Sequence, residues 1–487
     1  MNITSGSVCA PKKQLAKICR QTVIAGLLAG LPSFGMAETI IRNVTVVDTV
    51  TGQKTPDMAV VIDGPMIKSV GPVAEVSVAD TDTIIDGSGL FVVPGYNDMH
   101  SHALTSGDVE TNLRVMLANG ITGFRQMSGS SGLLANRGVD HGAGPDLLAL
   151  SGDILTGGNA RTAEQAAAEI QAQKQAGADF IKILIDNPRV FVAALDTAQA
   201  EGLPIAGHFP PTVSAETAAA HGMDAMEHLG PRESLLLSVS NREDELRKAI
   251  ANTPPPPPPS APPTPEFYAR VIANPIPFTA PAQFERMFAM ADSYDPAKAD
   301  KLVQMLKQKQ VWQVPTLIRL RTMNHGDDPL YRQDPNLSYV TDAQKGLWQD
   351  IAESFAARIP EGAKPALDRM YGAQMRLTRQ MADAGLPLLA GSDYGGQWLV
   401  AGFSLHQEFA ELAKAGLTPL QVLQATTLNA GQFLNREIGQ VAAGMAADLV
   451  LLGADPLEDV ANLARIVGVV DSGEYQDRAA LDALLEQ

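Results

Sequence analysis

Val92-Val-Pro-Gly-Tyr-Asn-Asp-Met-His-Ser-His102 is the stretch on which the fold turns. A short β-branched run ends in two histidines separated by one residue. Residues two apart in a strand project to the same side, so both imidazoles can reach one cation. Four later apolar runs carry further candidates: Lys182 in Phe180-Ile-Lys-Ile-Leu, His208 in Ala206-Gly-His-Phe, His228 in Met226-Glu-His-Leu and Asp393 in Ala390-Gly-Ser-Asp. The chain holds only 8 His, so two more at the ends of successive runs point to metal binding rather than to isolated core groups.

Between residues 92 and 436, short apolar runs alternate with helical stretches, the pattern of a (β/α)8 barrel. Strands are expected at 92–100, 121–127, 146–152, 180–186, 203–209, 224–229, 311–318 and 386–393. Helices are expected at 163–176, 281–290, 298–310 and 405–415, where composition and apolar spacing favour them. Most of the six named residues fall near the C-terminal end of a strand, the face that carries active sites in such barrels. Lys182 sits earlier in its run. A bare ammonium buried there, sharing a face with Phe180 and Leu184, would carry a large desolvation cost.

Outside the barrel, 38–91 and 437–487 read as short β-branched strands with turns between them. Two connections within it are long. One contains Pro254–Pro259 and runs on to Pro265, an insertion around 253–265 read as a stiff, exposed polyproline spacer. The other, 319–345, is rich in Arg, Asp and Tyr and suits a lid or substrate wall.

The first 37 residues read as a signal peptide: Lys12, Lys13, Lys17 and Arg20, then an apolar run, then Gly35-Met36-Ala37. That run is too short, and too soon broken by Pro32, for a membrane span of about 20 residues. Cleavage would take four positive charges from a formal net charge of −17, leaving −21. It would also remove Cys9 and Cys19, the only cysteines, which leaves His, carboxylate and modified Lys as metal ligands. The expected location is the periplasm or the medium. So acidic a chain argues against nucleic acid and anionic lipid as partners, and no further transmembrane run appears. Self-association is left open.

The six residues, in this order and these settings, resemble the amidohydrolase superfamily, in particular its two-metal branch with a carboxylated bridging lysine. Gly177-Ala-Asp-Phe-Ile-Lys182, Gly222-Met-Asp-Ala-Met-Glu-His228, Ala415-Gly-Leu-Thr-Pro419 and Ala425-Thr-Thr-Leu-Asn-Ala430 are similar to its dipeptidase-like and imidazolonepropionase-like members. The resemblance implies a β-sandwich built from both chain ends beside the barrel. It implies two divalent ions held by His100, His102, Lys182, His208, His228 and Asp393, with a CO2-derived carbamate on Lys182. Zn2+ suits imidazole with carboxylate best. It further implies a metal-bridging hydroxide as nucleophile, with Asp393 carrying its proton to the leaving amine.

Those relatives commonly carry Gly-Gly-His after the third strand. Here Thr156-Gly-Gly-Asn-Ala-Arg161 has Asn159 in the histidine's place. The expected reaction is cleavage of an amide or peptide bond in a dipeptide or N-acyl amino acid. The alternative is hydrolysis of a cyclic amide, lactone or amino-heterocycle. A substrate carboxylate would need a cation, for which Arg319, Arg321 and Arg161 are the candidates. Tyr394 and Tyr331 could add hydroxyls, and His325 could reach substrate from its connection.

Overall fold

The computed structural model describes residues 37–229, 234–253, 264–360 and 362–486. The expected signal peptide, apart from Ala37, and the proline run 254–263 lie outside the described residues. The N-terminal part supplies β1 (Thr39–Val47), β2 (Lys54–Asp63), β3 (Met66–Pro72), β4 (Thr83–Asp86) and β5 (Phe91–Pro94). The central part supplies β6 (Tyr96–Ser101), β7 (Ile121–Gln126), β8 (Asp146–Leu150), β9 (Leu155–Thr156), β10 (Ile181–Leu184), β11 (Ile205–His208), β12 (Ala225–Glu227) and β13 (Trp312–Val314). The C-terminal part adds β14 (Leu449–Leu452), β15 (Ile466–Asp471) and β16 (Glu474–Asp477).

The two chain ends join in one eight-stranded sheet. β5 is the seam: it runs parallel to β1 on one side and antiparallel to β14 on the other. Alternation explains why these segments pair as they do. Ile41, Val44, Val60 and Ile62 from the N-terminal strands share an apolar core with Leu449, Leu451 and Val470 from the C-terminal ones.

The central strands are parallel. β6, β7 and β8 form one set and β9 to β13 another. The sets meet at a parallel bridge between Ser151 and Phe180, where Asp179 N–H also donates to Leu150 O. The segment expected as an eighth strand, 386–393, is not a regular strand. Pro387 has no N–H to donate, and the backbone at Asp393 is left-handed (φ 51°). It is nonetheless held on both sides. Leu389 N–H donates to Gln313 O, and Met99 N–H donates to Ala390 O. Gly391 is required because a Cβ there would stand 2.6 Å from that of His100.

Helices fall at Ala163–Gln175, Pro281–Asp292, Pro296–Gln308 and Phe403–Ala415, close to expectation. One boundary differs. The run expected as a strand through 318 stops at Val314. Thr316 turns left-handed (φ 45°) and Leu317–Asn324 is a buried helix. Arg319 and Arg321 are therefore helical residues, not loop residues.

A pH response follows from four neighbouring acids: Asp471 at the end of β15, Asp448 just before β14, Asp146 at the start of β8 and Glu474 at the start of β16. Burial, then the neighbouring Asp448, Asp146 and Glu474, push Asp471 up to about 7, while burial brings Asp448 to about 6. A carboxyl whose folded value is raised favours the fold at low pH and loses that favour as pH climbs from the ordinary value of 3.8 through about 7. Asp471→Asn should therefore raise Tm at pH 8 and leave it unchanged near pH 4. Equal shifts at both pH values would contradict titration of Asp471 as the cause.

Candidate active site

β6 delivers His100 and His102, whose ring centroids lie 5.5 Å apart. The His228 ring, just after β12, is 4.4 Å from that of His100, and the His208 ring at the end of β11 is 5.1 Å from that of His228. Asp393 comes to the same point from the far end of the chain. Its Oδ1 is 3.2 Å from His100 Nε2 and 3.1 Å from His102 Nε2, and its Oδ2 is 3.7 Å from His228 Nε2. One ligand atom from each of His100, His102 and Asp393 fits within a 4.8 Å span.

At His100, His102 and His228 the other ring nitrogen is engaged. His100 Nδ1–H donates to Glu227 Oε2 at 2.7 Å, His102 Nδ1 lies 2.7 Å from Ser128 Oγ, and His228 Nδ1 lies 2.6 Å from Thr316 Oγ1. Fixing Nδ1 aims Nε2 at the common centre, as metal-ligating histidines require. Lys182 is 4% exposed and its Nζ has no hydrogen-bond partner among the described residues. Burial lowers its pKa to about 8, with Glu227 and Asp393 acting the other way. Its charge reaches both His102 and His228. Four imidazoles and a carboxylate are donors of the kind that hold divalent metal, and a buried amine stands beside them.

Burial by itself would raise Asp393, but His228, His100 and hydrogen bonds from His100 and His102 outweigh it and hold it well below the usual carboxylate range. The backbone at the site is strained. His228 (φ 56°), Leu229 (φ 57°), Thr316 and Asp393 all adopt the left-handed region without being glycine. Asp98 ties the two flanking segments together. It accepts from Ser392 Oγ–H at 2.5 Å, Ser392 N–H at 3.0 Å and His100 N–H at 3.1 Å, and burial pushes it up to about 6.

Sequence reasoning missed the layer beneath. Glu227, fully buried, accepts from Arg125 Nη2–H at 2.7 Å on one oxygen and from His100 on the other. Arg125, 1% exposed, also donates to Met99 O at 2.7 Å and lies over the rings of Phe180 and Phe433. The available signal was a single charged residue inside each of two apolar strands.

The expected substrate contacts are placed differently. Arg319 directs Nε–H at Asp393 Oδ2 (3.0 Å), Nη1–H at Ala273 O (2.5 Å) and Nη2–H at Ile272 O (2.7 Å). It serves Asp393 instead of a substrate carboxylate, because the helical turn at Leu317 carries it inward. Arg321 turns to Glu411 at 3.1 Å and stacks over Tyr331. Tyr394 donates to Asn112 Oδ1 at 2.7 Å, and His325 pairs with Asp368 at 2.7 Å. Asn159 accepts from Thr156 N–H and closes its own turn.

The amidohydrolase family model matches residues 363–475. An adenine deaminase of Rubrobacter xylanophilus is 38% identical over 88 residues, 18% of this chain and 14% of that protein. An imidazolonepropionase of Streptomyces avermitilis is 35% identical over 92 residues, 18% of this chain and 20% of that protein. The chain thus matches a fifth or less of the length of these two relatives. Among solved structures, the bottromycin amidohydrolase superposes with a TM-score of 0.65 at 24% identity, over 91% of this chain and 88% of that one. A Xaa-Pro dipeptidase with bound methionine gives 0.59 at 17%, over 91% and 100%. At such identities these two speak for the fold alone.

The buried pair predicts a double-mutant cycle. Removing one partner leaves a charge without compensation, so Arg125→Met or Glu227→Gln should each cost about 3–5 kcal/mol in denaturant unfolding. The double variant should cost less than the sum. Strict additivity would show that the pair is not coupled.

Proposed function

We propose that the chain is a member of the amidohydrolase superfamily, whose family model matches residues 363–475, and that within it the protein is an exported, metal-dependent hydrolase of an amide or peptide C–N bond. The carrying observation is the convergence of Asp393, four imidazoles and the unpartnered amine of Lys182. The hydrogen bonds flanking 386–393 support a closed eight-staved barrel as their frame. The N-terminal sequence pattern supports export.

His100, His102, His208, His228, Asp393 and a carbamate on Lys182 would hold two divalent ions, with Zn2+ the best match to these donors. Bound there, such ions supply Lewis acidity toward a carbonyl and make water acidic enough to attack at neutral pH. The residues do the rest. An amine held at about 8 is partly neutral at physiological pH, the form that adds CO2, losing one proton as the N–C bond forms. Asp393 is ionised and accepts hydrogen bonds, so it can take the proton from attacking water and hand it to the leaving nitrogen. Glu227 fixes the His100 tautomer and orientation.

A second reading has an observation of its own. The matched segments of the curated relatives come from proteins named for adenine and imidazolone chemistry, which favours a cyclic amide, lactone or amino-heterocycle on the same site. A panel of N-acyl amino acids, X-Pro dipeptides, lactones and amino-heterocycles, assayed with and without chelator, separates the two. Amide hydrolysis that chelator abolishes and Zn2+ restores is the expected result. In that assay Asp393→Asn should lower kcat by roughly 10²- to 10⁴-fold. Stoichiometric metal absent, with no metal-rescued turnover of any class, would overturn both readings.

Lys182 offers a test independent of substrate. Lys182→Met removes a buried amine that has no partner, so the metal-free protein should gain stability while metal content falls. A variant that is less stable without metal and still binds two ions per chain would contradict the assignment.

A further inference from the structure

We propose that Arg319 is a positioning residue that locks Asp393 to the C-terminal end of the helix Pro265–Ala273, so that seating of this helix and orientation of the carboxylate are one event. The inference deepens the hydrolase reading and rests on it for its kinetic outcome alone.

The geometry is a three-way clasp. A helix leaves its last carbonyls without intrahelical partners. Here two of them, Ile272 O and Ala273 O, accept from the two Nη groups of Arg319, while its Nε–H holds Asp393 Oδ2. The guanidinium is planar and rigid, so both ends must be in place at once for all three bonds to form. It is 5% exposed and lies flat against Gly396, where a Cβ would stand 2.6 Å from Nη1. Only glycine admits it.

The same two segments are stitched together again next door. Gln397 N–H donates to Ala273 O at 3.0 Å, and Asn274 Nδ2–H donates to Gln397 Oε1 at 2.8 Å. Both of these side chains are fully buried. The rest of the helix is loosely covered, with Phe267 43%, Tyr268 54% and Ile272 69% exposed. Beyond an exposed ion pair from Arg270 to Asp350 and a ring contact of Phe267 with Phe278, its buried polar attachment is at the end that Arg319 holds. Were the helix to lift, two buried N–H groups of Arg319 would lose their acceptors, and the guanidinium would re-aim to recover them. Asp393 would lose its fixed orientation with it.

Coupling of this kind is reciprocal, so it can be read from either side. The test is hydrogen exchange on the full-length, metal-replete protein, following peptides that cover 264–276. Asp393→Asn, more than a hundred residues away in sequence, should speed exchange there, and Arg319→Lys should do the same. Gly396→Ala should reproduce the effect with Arg319 and Asp393 both intact. Exchange in β1 and β2 should be unchanged in all three, which separates uncoupling from general unfolding.

On a substrate found by the panel, Arg319→Lys and Gly396→Ala should lower kcat roughly 10- to 100-fold, with a smaller change in KM. Unaltered exchange at 264–276 in Asp393→Asn would overturn the coupling, whatever the substrate. Faster exchange with unchanged kcat in Arg319→Lys would overturn the positioning role. A protein that turns over nothing in the panel defeats the hydrolase reading, while the exchange result still decides the clasp.

Discussion

A carboxylate stays ionised in a water-poor interior only when donors and cations close around it, and Asp393 is enclosed in that way. His100, His102 and His228 face it from the C-terminal ends of β6 and β12, and Arg319 faces it from the helix that follows β13. Each of those groups must in turn be held. Ser128, Thr316 and Glu227 hold the imidazoles by their far nitrogens, and Arg125 holds Glu227. The site is thus a nested set of polar contacts, each layer satisfying the one above it. Partial satisfaction would be worse than an apolar core, which is why the set extends so far down.

This nesting explains features that would otherwise look like defects. Left-handed backbone at Thr316, His228 and Asp393 costs energy, yet it turns side chains from three segments toward one centre. The segment 386–393 gives up regular strand pairing, and Asp98 compensates by gripping Ser392 on one side and the His100 amide on the other. Lys182 differs from these groups: among the described residues its buried amine has no hydrogen bond at all. Arg125, Glu227, Arg319 and Asp393 are all paired, and the proposed carbamate would give the amine the partner it lacks.

How much of this was legible in the sequence depends on how local each signal is. The His-x-His spacing, the apolar runs before His208 and His228 and the out-of-place Lys182 are short-range patterns, and a strand's two-residue period converts them directly into geometry. The parallel strands follow from similar patterns repeated along the chain, whereas the joining of the two chain ends was expected from the family resemblance alone. The Arg125–Glu227 pair was not legible because its members lie 102 residues apart. Nothing near either residue says that the other neutralises it. Arg319 was misread for a related reason. Its setting after an apolar run suggested a loop over the site, whereas Thr316 ends the strand early and winds the next residues into a buried helix. The eighth strand was expected as regular, but Pro387 and the close approach of Gly391 to His100 leave it irregular.

The central claim is that these side chains exist to hold metal. Anomalous diffraction recorded at the Zn edge, from crystals grown with Zn2+ and bicarbonate, tests it most directly. Two peaks among His100, His102, His208, His228 and Asp393, with density joining Lys182 Nζ to both, is the result the account predicts. Density ending at a bare amine with no peak among the imidazoles would contradict it.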